Sequence, residues 1–354
     1  MRVAEFDFEL PAELIAQQPA PRGQSRLLTL ERRSGRLSHG SIGDLPGMLR
    51  SGDLVVTNNS RVFPARLLGR RIPSGGAVEC LLVRREEADA GPQGAEIWTV
   101  LVHPGQKLKP GARIRFEGSA GTLIAEVLER RFFGRRRIRL WAETGGAVDA
   151  IVDAIGHVPL PPYIHRHDTE ADRERYQTVF AERRGSIAAP TAGLHFDRPL
   201  LQSLDAAGVE RANITLHVGY GTFKPVRTDD VEAHVVDAEP YEISERAASQ
   251  INAALDTGRR IVAVGTTTTR ALEDAALRGG GRPIAGSADA NLFIYPGHQF
   301  RVVSSLLTNF HLPKSSLLML TAAFGGRELV LEAYRAAIAE RYRFYSYGDA
   351  MLIV

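Results

Sequence analysis

The strongest constraint on the fold is a change of pattern in the middle of the chain. Residues from about 61 to 149 hold short apolar, β-forming runs between glycine and proline turns, such as AVECLLV (77–83) and TLIAEVL (122–128). Several closely spaced strands of this kind predict a small barrel or sandwich. We therefore predict an α/β fold: a mixed α/β domain formed by both chain ends, 1–60 and 150–354, with a small β-barrel inserted at 61–149.

The two ends carry helix and strand signals. Ser244 is placed to cap a helix that ends before Gly258, and IVAV (261–264) has the composition of a buried strand. A helix is expected from about Arg270, and a strongly periodic one over 327–342. Pro11 and Pro19 bracket a short predicted helix, AELIAQQ.

Composition narrows the class of protein. The 354 residues are 44% hydrophobic and 24% charged, as in soluble globular proteins, and no apolar run is long enough for a membrane span. The N-terminus lacks a signal-peptide pattern, and the single cysteine, Cys80, excludes an intrachain disulfide framework. We expect a cytoplasmic protein, and a monomer because no exposed heptad pattern occurs.

Four segments combine glycine, proline, threonine and polar residues beside apolar, strand-like runs. Ligands of α/β sheets bind at loops beyond strand ends, and glycines let backbone N–H groups approach a ligand. We expect a ligand site in these segments, which are GSIAAPTAGLHF (185–196), TLHVGYGTFKPV (215–226), VGTTTTR (264–270) and TNFHLPKS (308–315).

The third segment has the order strand, GTTTT, helix. Thr266, Thr267 or Thr268 is placed to cap the helix and leave N–H donors for a carboxylate or a phosphate. A plain helix cap in a connecting loop is the alternative interpretation.

Four histidines lie in or beside these segments: His195, His217, His234 and His311. No HExxH run and no Cys–His ligand spacing occurs, so acid–base or hydrogen-bonding roles are favoured over a metal site. Structural histidines with satisfied hydrogen bonds are the alternative. Lysine is rare in this arginine-rich chain, yet two of the four lysines, Lys224 and Lys314, lie in these segments.

Basic residues concentrate in ERRFFGRRRIRLW (129–141), with six arginines within ten residues and phenylalanine interleaved. An alternating strand pair would place arginine stems on one face, as binding to a nucleic-acid backbone requires. A solvated hairpin is the alternative. The candidate nucleic-acid-binding residues are Arg61, Arg66, Arg130, Arg131, Arg135, Arg136, Arg137 and Lys314.

Several enzyme classes lack support. The chain has no GxxxxGK[ST] loop, no GxGxxG opening a βαβ unit and no GxSxG elbow. A P-loop enzyme and a Rossmann-type methyltransferase are therefore not indicated.

A family resemblance rests on motifs spread over nearly the whole chain. Besides the four segments above, the matching motifs are NNSRVFPARL (58–67), GHVPLPPYI (156–164), ERYQTVFA (174–181) and YRFYSYGDAMLI (342–353). In order and spacing the chain resembles the S-adenosylmethionine:tRNA ribosyltransferase-isomerases of queuosine biosynthesis.

This resemblance implies a fold and a reaction. The fold would be an α/β domain with an inserted β-barrel. The ribosyl group of S-adenosylmethionine would go to 7-aminomethyl-7-deazaguanine in tRNA and rearrange, which gives epoxyqueuosine and releases adenine and methionine. The implied partners are S-adenosylmethionine and the anticodon arm of a tRNA with a GUN anticodon. No metal, no further cofactor, no membrane and no obligate protein partner is expected.

The reaction also implies site residues. It requires a base for a proton beside the sulfonium, an acid for adenine departure, and aromatic or carbonyl groups around the sulfonium. The candidates for proton transfer or substrate hydrogen bonds are His195, His217, His311, Lys224, Glu239 and Asp349. The candidates for contact with S-adenosylmethionine are Thr191, Gly193, Gly219, Gly221, Thr222, Thr267, Asn309 and Tyr347.

One segment departs from the family pattern. Family members usually read HVMHSE where this chain reads HVVDAE (234–239), so Asp237 replaces a histidine. If that histidine has a role in the family, either the Asp237 carboxylate performs it in this chain or the role is not essential. Two other functions stay open from the residues alone: a non-catalytic RNA-binding protein and a metal-dependent hydrolase.

Overall fold

The chain folds into two compact units. The structure is a computed structural model that describes residues 1–86, 94–132, 134–223 and 225–354. One unit contains Met1–Arg61, Pro161–His165 and Arg175–Val354, and the other contains Val62–Leu160 and Arg166–Glu174. Both chain ends belong to the first unit, and the second is inserted between them. The boundaries at 61 and 149 stay a prediction.

Strands occur in both units. In chain order they are β1 (Arg26–Leu30), β2 (Leu37–Ser41), β3 (Leu54–Asn58), β4 (Ser60–Val62), β5 (Arg66–Ile72), β6 (Ala77–Glu86), β7 (Glu96–His103), β8 (Arg113–Gly118), β9 (Gly121–Arg130), β10 (Arg135–Ala142), β11 (Arg183–Ser186), β12 (Glu210–Leu216), β13 (Glu239–Ile243), β14 (Ile261–Val264), β15 (Gly286–Ala290), β16 (Ser305–Asn309) and β17 (Ala350–Ile353).

The helices lie mainly in the second half of the chain. They are α1 (Leu45–Met48), α2 (Val148–Ile155), α3 (Glu170–Arg175), α4 (Arg198–Ala206), α5 (Glu245–Asp256), α6 (Thr266–Arg278), α7 (Ser316–Gly325) and α8 (Arg327–Ala339). Ser244 caps α5 as predicted, because its hydroxyl accepts a hydrogen bond from the N–H of Ala247 at 3.2 Å.

A nine-stranded mixed sheet forms the centre of the first unit, in the order β15-β13-β12-β3-β14-β16-β17-β1-β2. Strands β12, β3, β14 and β16 are parallel neighbours, so their carboxyl ends share one edge of the sheet. Strand β17 is antiparallel to β16 and pairs Ala350 with Asn309, so the residues before β17 reach the same edge. Three of the four polar segments follow β12, β14 and β16.

Apolar side chains cover both faces of this sheet. One core cluster joins Ile214, Ile261 and Leu306 to helices α5 to α8, and the other joins Val55, Val262 and Leu307 to α1 and α4. Burial on both faces explains why the central strands are continuous apolar runs such as IVAV. The rigid sheet holds the polar loops at its edge in fixed positions.

The inserted unit is a closed antiparallel barrel with the order β10-β7-β6-β5-β8-β9. In β10, Arg136, Ile138 and Leu140 are buried, and Arg135, Arg137 and Arg139 alternate with them on the outer side. The fold class is therefore the predicted one: a mixed α/β domain from both chain ends with an inserted β-barrel.

Two predicted helix boundaries are wrong. Between Pro11 and Pro19 there is only a single 3₁₀ turn, Ala12–Leu14. The chain there pairs with a distant segment instead, since Ala16 N–H donates to Phe344 O and Phe344 N–H donates to Leu14 O. Tertiary pairing overrides the local helical signal. Helix α6 begins at Thr266 rather than near Arg270, and the Thr269 N–H already donates to Gly265 O at 3.1 Å.

Candidate active site

All four polar segments line one cavity of about 570 Å³ in the α/β unit. Its walls are mostly apolar, with a few polar side chains, as is usual for small-molecule sites. The segments contribute Ala189–Ala192, Val218 with Pro225 and Val226, Gly265–Thr267, and Thr308 with Asn309 and His311–Ser315; Pro162, Tyr163, His165, Leu317, Tyr345 and Ser346 complete the lining. The predicted convergence of the loops is present.

The first turn of α6 faces this cavity through Thr266 and Thr267. The predicted threonine cap is wrong: the N-cap is Gly265, whose φ of +95° favours glycine, and no side chain caps the helix. The hydroxyls of Thr268 and Thr269 donate instead to Val264 O and Gly265 O, at 2.7 and 3.1 Å. An uncapped helix N-terminus at a cavity wall is suited to an anionic group of a ligand.

Asn309 is the most connected polar residue of the cavity wall. Its amide nitrogen donates to Tyr345 O at 3.0 Å and to His195 Nε2 at 3.1 Å. Its amide oxygen accepts a hydrogen bond from the Thr191 hydroxyl at 3.3 Å. The side chain is thereby fixed in orientation, and its oxygen retains one lone pair for a ligand.

His195 lies behind Asn309 and is buried. Its Nδ1 bonds the Ser25 hydroxyl at 2.8 Å, and its Nε2 accepts from Asn309, which assigns the proton to Nδ1. Burial lowers the pKa of His195 to about 4, although nearby Asp349 raises it. A neutral imidazole therefore holds Asn309 in place at physiological pH.

His311 lines the cavity itself. Its Nε2 lies 2.9 Å from the Thr308 hydroxyl, and its backbone N–H donates to the Tyr334 hydroxyl. Burial lowers the pKa of His311 to about 3, so the ring is neutral at pH 7. A general base works best with a pKa near the working pH, which favours a hydrogen-bonding role for His311 over proton abstraction.

Two further candidates are engaged away from the cavity lining. His217 Nδ1 bonds the Ser60 hydroxyl at 2.7 Å, and Ser60 in turn bonds Ser186; burial lowers the pKa of His217. Asp349 accepts hydrogen bonds from the backbone N–H groups of Arg26 and Arg343. The Asp349 carboxylate therefore anchors the start of β1 and the turn before β17.

Glu239 forms a buried ion pair that the sequence did not predict. Its Oε2 lies 2.6 Å from Arg270 Nη1, and its Oε1 accepts the Gly219 N–H at 2.8 Å. Arg270 also donates to the carbonyls of Ala290 and Leu292. The pair joins α6, β13 and the loop after β12. The available signal was the arginine at the end of the GTTTTR segment.

Beside the main cavity is a smaller one of about 80 Å³, bounded by Gly221, Asp237, Glu239 and Arg270 and sharing Leu317 with it. A Cβ on Gly221 would come within 2.7 Å of the Asp237 side chain. Asp237, which departs from the family pattern, therefore packs directly on the predicted cofactor loop.

The remaining candidates divide between the cavity wall and other positions. Thr191, Thr267 and Lys314 line the cavity, and Lys314 Nζ pairs with Asp7 at 2.6 Å. Gly193 packs against Thr178, and the Tyr347 ring packs edge-on against Tyr176; neither is in the lining. Lys224 and the side chain of Thr222 lie outside the part of the chain that the structure describes.

An aromatic pair completes the wall. The rings of Tyr163 and Tyr345 have centroids 4.1 Å apart, and Tyr345 has a φ of +74°, unusual for a residue with a side chain. Hydrogen bonds from its N–H to Phe310 O and from Asn309 to its carbonyl hold this conformation. Burial raises the pKa of Tyr345, so its phenol is neutral.

The predicted nucleic-acid-binding arginines have different environments. Arg130 is exposed in the barrel and Arg61 is exposed in the α/β unit. Arg66 pairs with Glu79 at 3.0 Å, Arg131 with Glu129 at 2.9 Å and Arg137 with Glu86 at 2.7 Å.

For Arg136, the predicted position on the phosphate-facing side is wrong. The residue is 2% exposed, and its guanidinium donates to the carbonyls of Leu108, Gly105 and Arg135. In β10 it occupies the inner face, opposite to Arg135 and Arg137.

Two features are absent from the described ranges. Residues 1–86, 94–132, 134–223 and 225–354 contain no group of three or more histidine, cysteine, aspartate or glutamate side chains arranged to hold a metal ion. Within the same ranges, none of the helices combines the length and the apolar character that crossing a lipid bilayer needs.

An α/β unit with an inserted β-barrel and a mostly apolar cavity at the ends of parallel strands is typical of an enzyme that acts on a small molecule. Comparison with known proteins makes this specific. The family model described as queuosine biosynthesis protein matches residues 3–353. The chain belongs to this family.

Relatives of the same length share about half of the residues. A protein of Heliobacterium modesticaldum is 48% identical and one of Symbiobacterium thermophilum is 50% identical, each over 100% of both chains. Both are named S-adenosylmethionine:tRNA ribosyltransferase-isomerase. A crystal structure of S-adenosylmethionine tRNA ribosyltransferase from Thermotoga maritima has a TM-score of 0.54 and 36% identity, and the match covers 99% of this chain and 100% of that one.

Proposed function

We propose that this chain is an S-adenosylmethionine:tRNA ribosyltransferase-isomerase. It transfers the ribosyl moiety of S-adenosylmethionine to 7-aminomethyl-7-deazaguanine in tRNA and isomerises it, giving epoxyqueuosine and releasing adenine and methionine. The convergence of four polar segments on one cavity of about 570 Å³ is the observation that carries the proposal. Full-length similarity to relatives named for this activity supports it over the RNA-binding and hydrolase alternatives.

Groups of matching chemistry are available for each part of S-adenosylmethionine. The uncapped N-terminus of α6 at Thr266 and Thr267 suits the methionine carboxylate. Tyr163 and Tyr345 offer aromatic faces, which accept a sulfonium or an adenine ring. Asn309 and His311 supply directional hydrogen bonds from the neighbouring wall.

The protonation states of the two histidines limit the roles that they can have in catalysis. His195 and His311 are neutral, with pKa values held far below 7, so they orient groups and donate or accept hydrogen bonds. His195 acts through Asn309 and is a positioning residue. Glu239 is a positioning residue as well, because both of its oxygens are engaged by Arg270 and Gly219. The Asp349 carboxylate holds backbone rather than substrate.

The partners and the setting follow from the same proposal. The tRNA substrate carries a GUN anticodon, the reaction takes place in the cytoplasm, and no cofactor beyond S-adenosylmethionine takes part. The barrel residues Arg130, Arg131, Arg135 and Arg137 contribute to binding of the tRNA backbone. Arg136 is excluded from this set because its donors are used internally.

The test is to incubate the purified chain with S-adenosylmethionine and a tRNA bearing 7-aminomethyl-7-deazaguanine at its wobble position, and to quantify free adenine and methionine by chromatography. We expect equimolar release that depends on both substrates. The same tRNA with guanine at that position is the control and should give no adenine. If the modified tRNA gives no more adenine than this control, the proposed function is wrong.

The Asn309→Ala variant tests the site. Because Asn309 links His195, Thr191 and Tyr345 at the cavity wall, its loss should lower kcat/KM by about tenfold to a hundredfold. Ser203→Ala, on an exposed part of α4, is the matched control and should leave the rate unchanged. Equal rates for both variants would contradict the assignment of the cavity as the active site.

A further inference from the structure

The tip of the β9–β10 hairpin exposes an aromatic ring among positive charges. Phe132 is 86% exposed, the largest exposure among the large hydrophobic residues described. It lies between Arg131 and the turn at Gly134, whose φ is +79°. A single exposed apolar residue is common on protein surfaces, so the neighbouring groups decide whether Phe132 has a role.

Those neighbours form a shallow groove of about 640 Å³ on the barrel, beside Phe132. The groove is bounded by the hairpin tip on one side and by the loop that begins at His103 on the other, with Gly105 and Gln106 in its wall. The same loop continues into Lys107 and Lys109, both exposed. Two of the four lysines of this arginine-rich chain therefore lie in the loop that contributes Gly105 and Gln106 to the groove.

The buried Arg136 holds the two sides of the groove together. Its guanidinium donates to Gly105 O and Leu108 O in the loop and to Arg135 O in the hairpin. Burial lowers its pKa, and the charge of nearby Arg130 lowers it further. Internal hydrogen bonds of Arg136 thus join the two sides of the groove.

Three of those outward cations are available to a partner. Within the described ranges, Lys107, Lys109 and Arg130 form no ion pair with any acidic side chain. Arg131, in contrast, pairs with Glu129 at 2.9 Å, which holds the base of the hairpin tip. Free cations beside an exposed aromatic ring match the chemistry of unpaired RNA, which offers phosphates and the faces of bases.

We propose that this groove binds a single-stranded part of the tRNA, with a base stacked on Phe132 and phosphates beside Lys107, Lys109 and Arg130. The inference rests on the proposed function for the identity of the RNA. It adds a contact that is separate from the cavity of the α/β unit and that reads no particular sequence, because every base has a face on which an aromatic ring stacks.

Equilibrium binding of the modified tRNA, measured by fluorescence anisotropy without S-adenosylmethionine, tests the groove independently of turnover. Phe132→Ala should raise the Kd by roughly tenfold, and Phe132→Trp should restore binding. Leu68→Ala, at a 47% exposed apolar residue on β5 of the same barrel, is the matched control and should bind as the wild type does. Thermal unfolding of each variant checks that the fold is intact.

Salt dependence separates stacking from charge. Phe132→Ala should keep the wild-type slope of log Kd against log salt concentration. The double variant Lys107→Ala/Lys109→Ala should reduce that slope by about 1.4, since each of the two lost phosphate contacts on a single strand contributes roughly 0.7. A Kd for Phe132→Ala equal to that of Leu68→Ala would overturn the proposal that the groove binds RNA. A protein partner would then be the alternative occupant of this surface.

The failure of this proposal can be told apart from failure of the proposed function. If wild-type protein releases adenine while Phe132→Ala binds tRNA normally, only the groove is wrong. If no adenine is released but Phe132→Ala weakens tRNA binding, the groove stands and the reaction is wrong.

Discussion

The cavity of the α/β unit and the groove of the barrel use the same kinds of side chain in opposite ways. In the cavity, polar groups are buried and fixed by each other: Asn309 is bonded to His195, Tyr345 and Thr191. In the groove, one buried arginine fixes the walls while Lys107, Lys109 and Arg130 extend into solvent. Fixed neutral groups suit chemistry on a small molecule, and free cations suit a long polyanion.

The difference is clearest in the histidines of the cavity. Burial holds the pKa values of His195 and His311 at about 4 and about 3, so both rings stay uncharged over the physiological range. Neutral rings add no electrostatic repulsion of the sulfonium, and Lys314, which lines the same cavity, is paired with Asp7. The barrel surface, in contrast, carries permanent charge from lysine and arginine, and its interactions depend on salt.

The largest expected effect is in the buried ion pair. Arg270→Ala leaves Glu239 buried without its partner and should lower the free energy of unfolding by about 3–5 kcal/mol. Urea unfolding at pH 7 measures this. Arg282→Ala removes an ion pair with Asp256 in which the two side chains are 55% and 54% exposed, and it serves as the control that should unfold at nearly the same urea concentration as the wild type. Similar losses in both variants would show that burial of the pair does not matter.

The second largest expected effect is a loss of folding stability in acid, caused by the buried His195. His195 has a folded-state pKa near 4 and an ordinary value of 6.5, so below pH 6.5 the unfolded chain takes up a proton that the folded chain refuses. Stability is complete above pH 6.5 and falls by on the order of 3 kcal/mol by pH 4. Comparing urea unfolding of wild type and His195→Asn at pH 7 and pH 5 measures the share of this residue. An equal pH dependence of stability in both proteins would show that His195 does not contribute to it.

The buried arginine of the barrel should rank third. Arg136→Met keeps the volume of the side chain but leaves the carbonyls of Leu108 and Gly105 without donors, so we expect a loss of about 2 kcal/mol. Arg131→Met, at an exposed ion pair, should cost less than about 1 kcal/mol. Differential scanning calorimetry shows which of the two variants loses more stability. A larger loss for Arg131→Met would contradict the conclusion that the buried Arg136 holds the barrel loop in place.

The smallest effect concerns the pH dependence of turnover. If His311 donates or accepts a hydrogen bond as a neutral ring, His311→Asn should reduce kcat by about tenfold at every pH from 6 to 9, with the shape of the profile unchanged. Rates of adenine release across this range provide the measurement. Disappearance of an inflection between pH 6 and 7 in the variant would instead identify His311 as the general base.

The sequence predicted what local chemistry determines. The Ser244 cap, the apolar strand at 261–264 and the glycine- and threonine-rich segments were readable because each depends on residues close in the chain. Their convergence followed from a general property of parallel sheets, whose carboxyl strand ends share an edge. Periodicity and turn residues likewise predicted the barrel.

Other features required the fold. The pairing of residues near Leu14 with Phe344 replaced a predicted helix, and no local pattern indicates a partner more than 300 residues away. The acidic residues Glu239 and Asp349 looked like catalytic candidates, but both are used to hold backbone groups. Arg136 was misassigned because a run of arginines hides which members point inward, although alternation along β10 offered a signal.

The position of β17 has a consequence for synthesis of the protein. This strand lies between β16 and β1, and the residues just before it contribute Tyr345 to the wall of the cavity. A growing chain on the ribosome can therefore close the barrel early, but it cannot join the two halves of the large sheet until residue 353 has emerged. The wall of the cavity is therefore completed only after β1 to β16 have been synthesised.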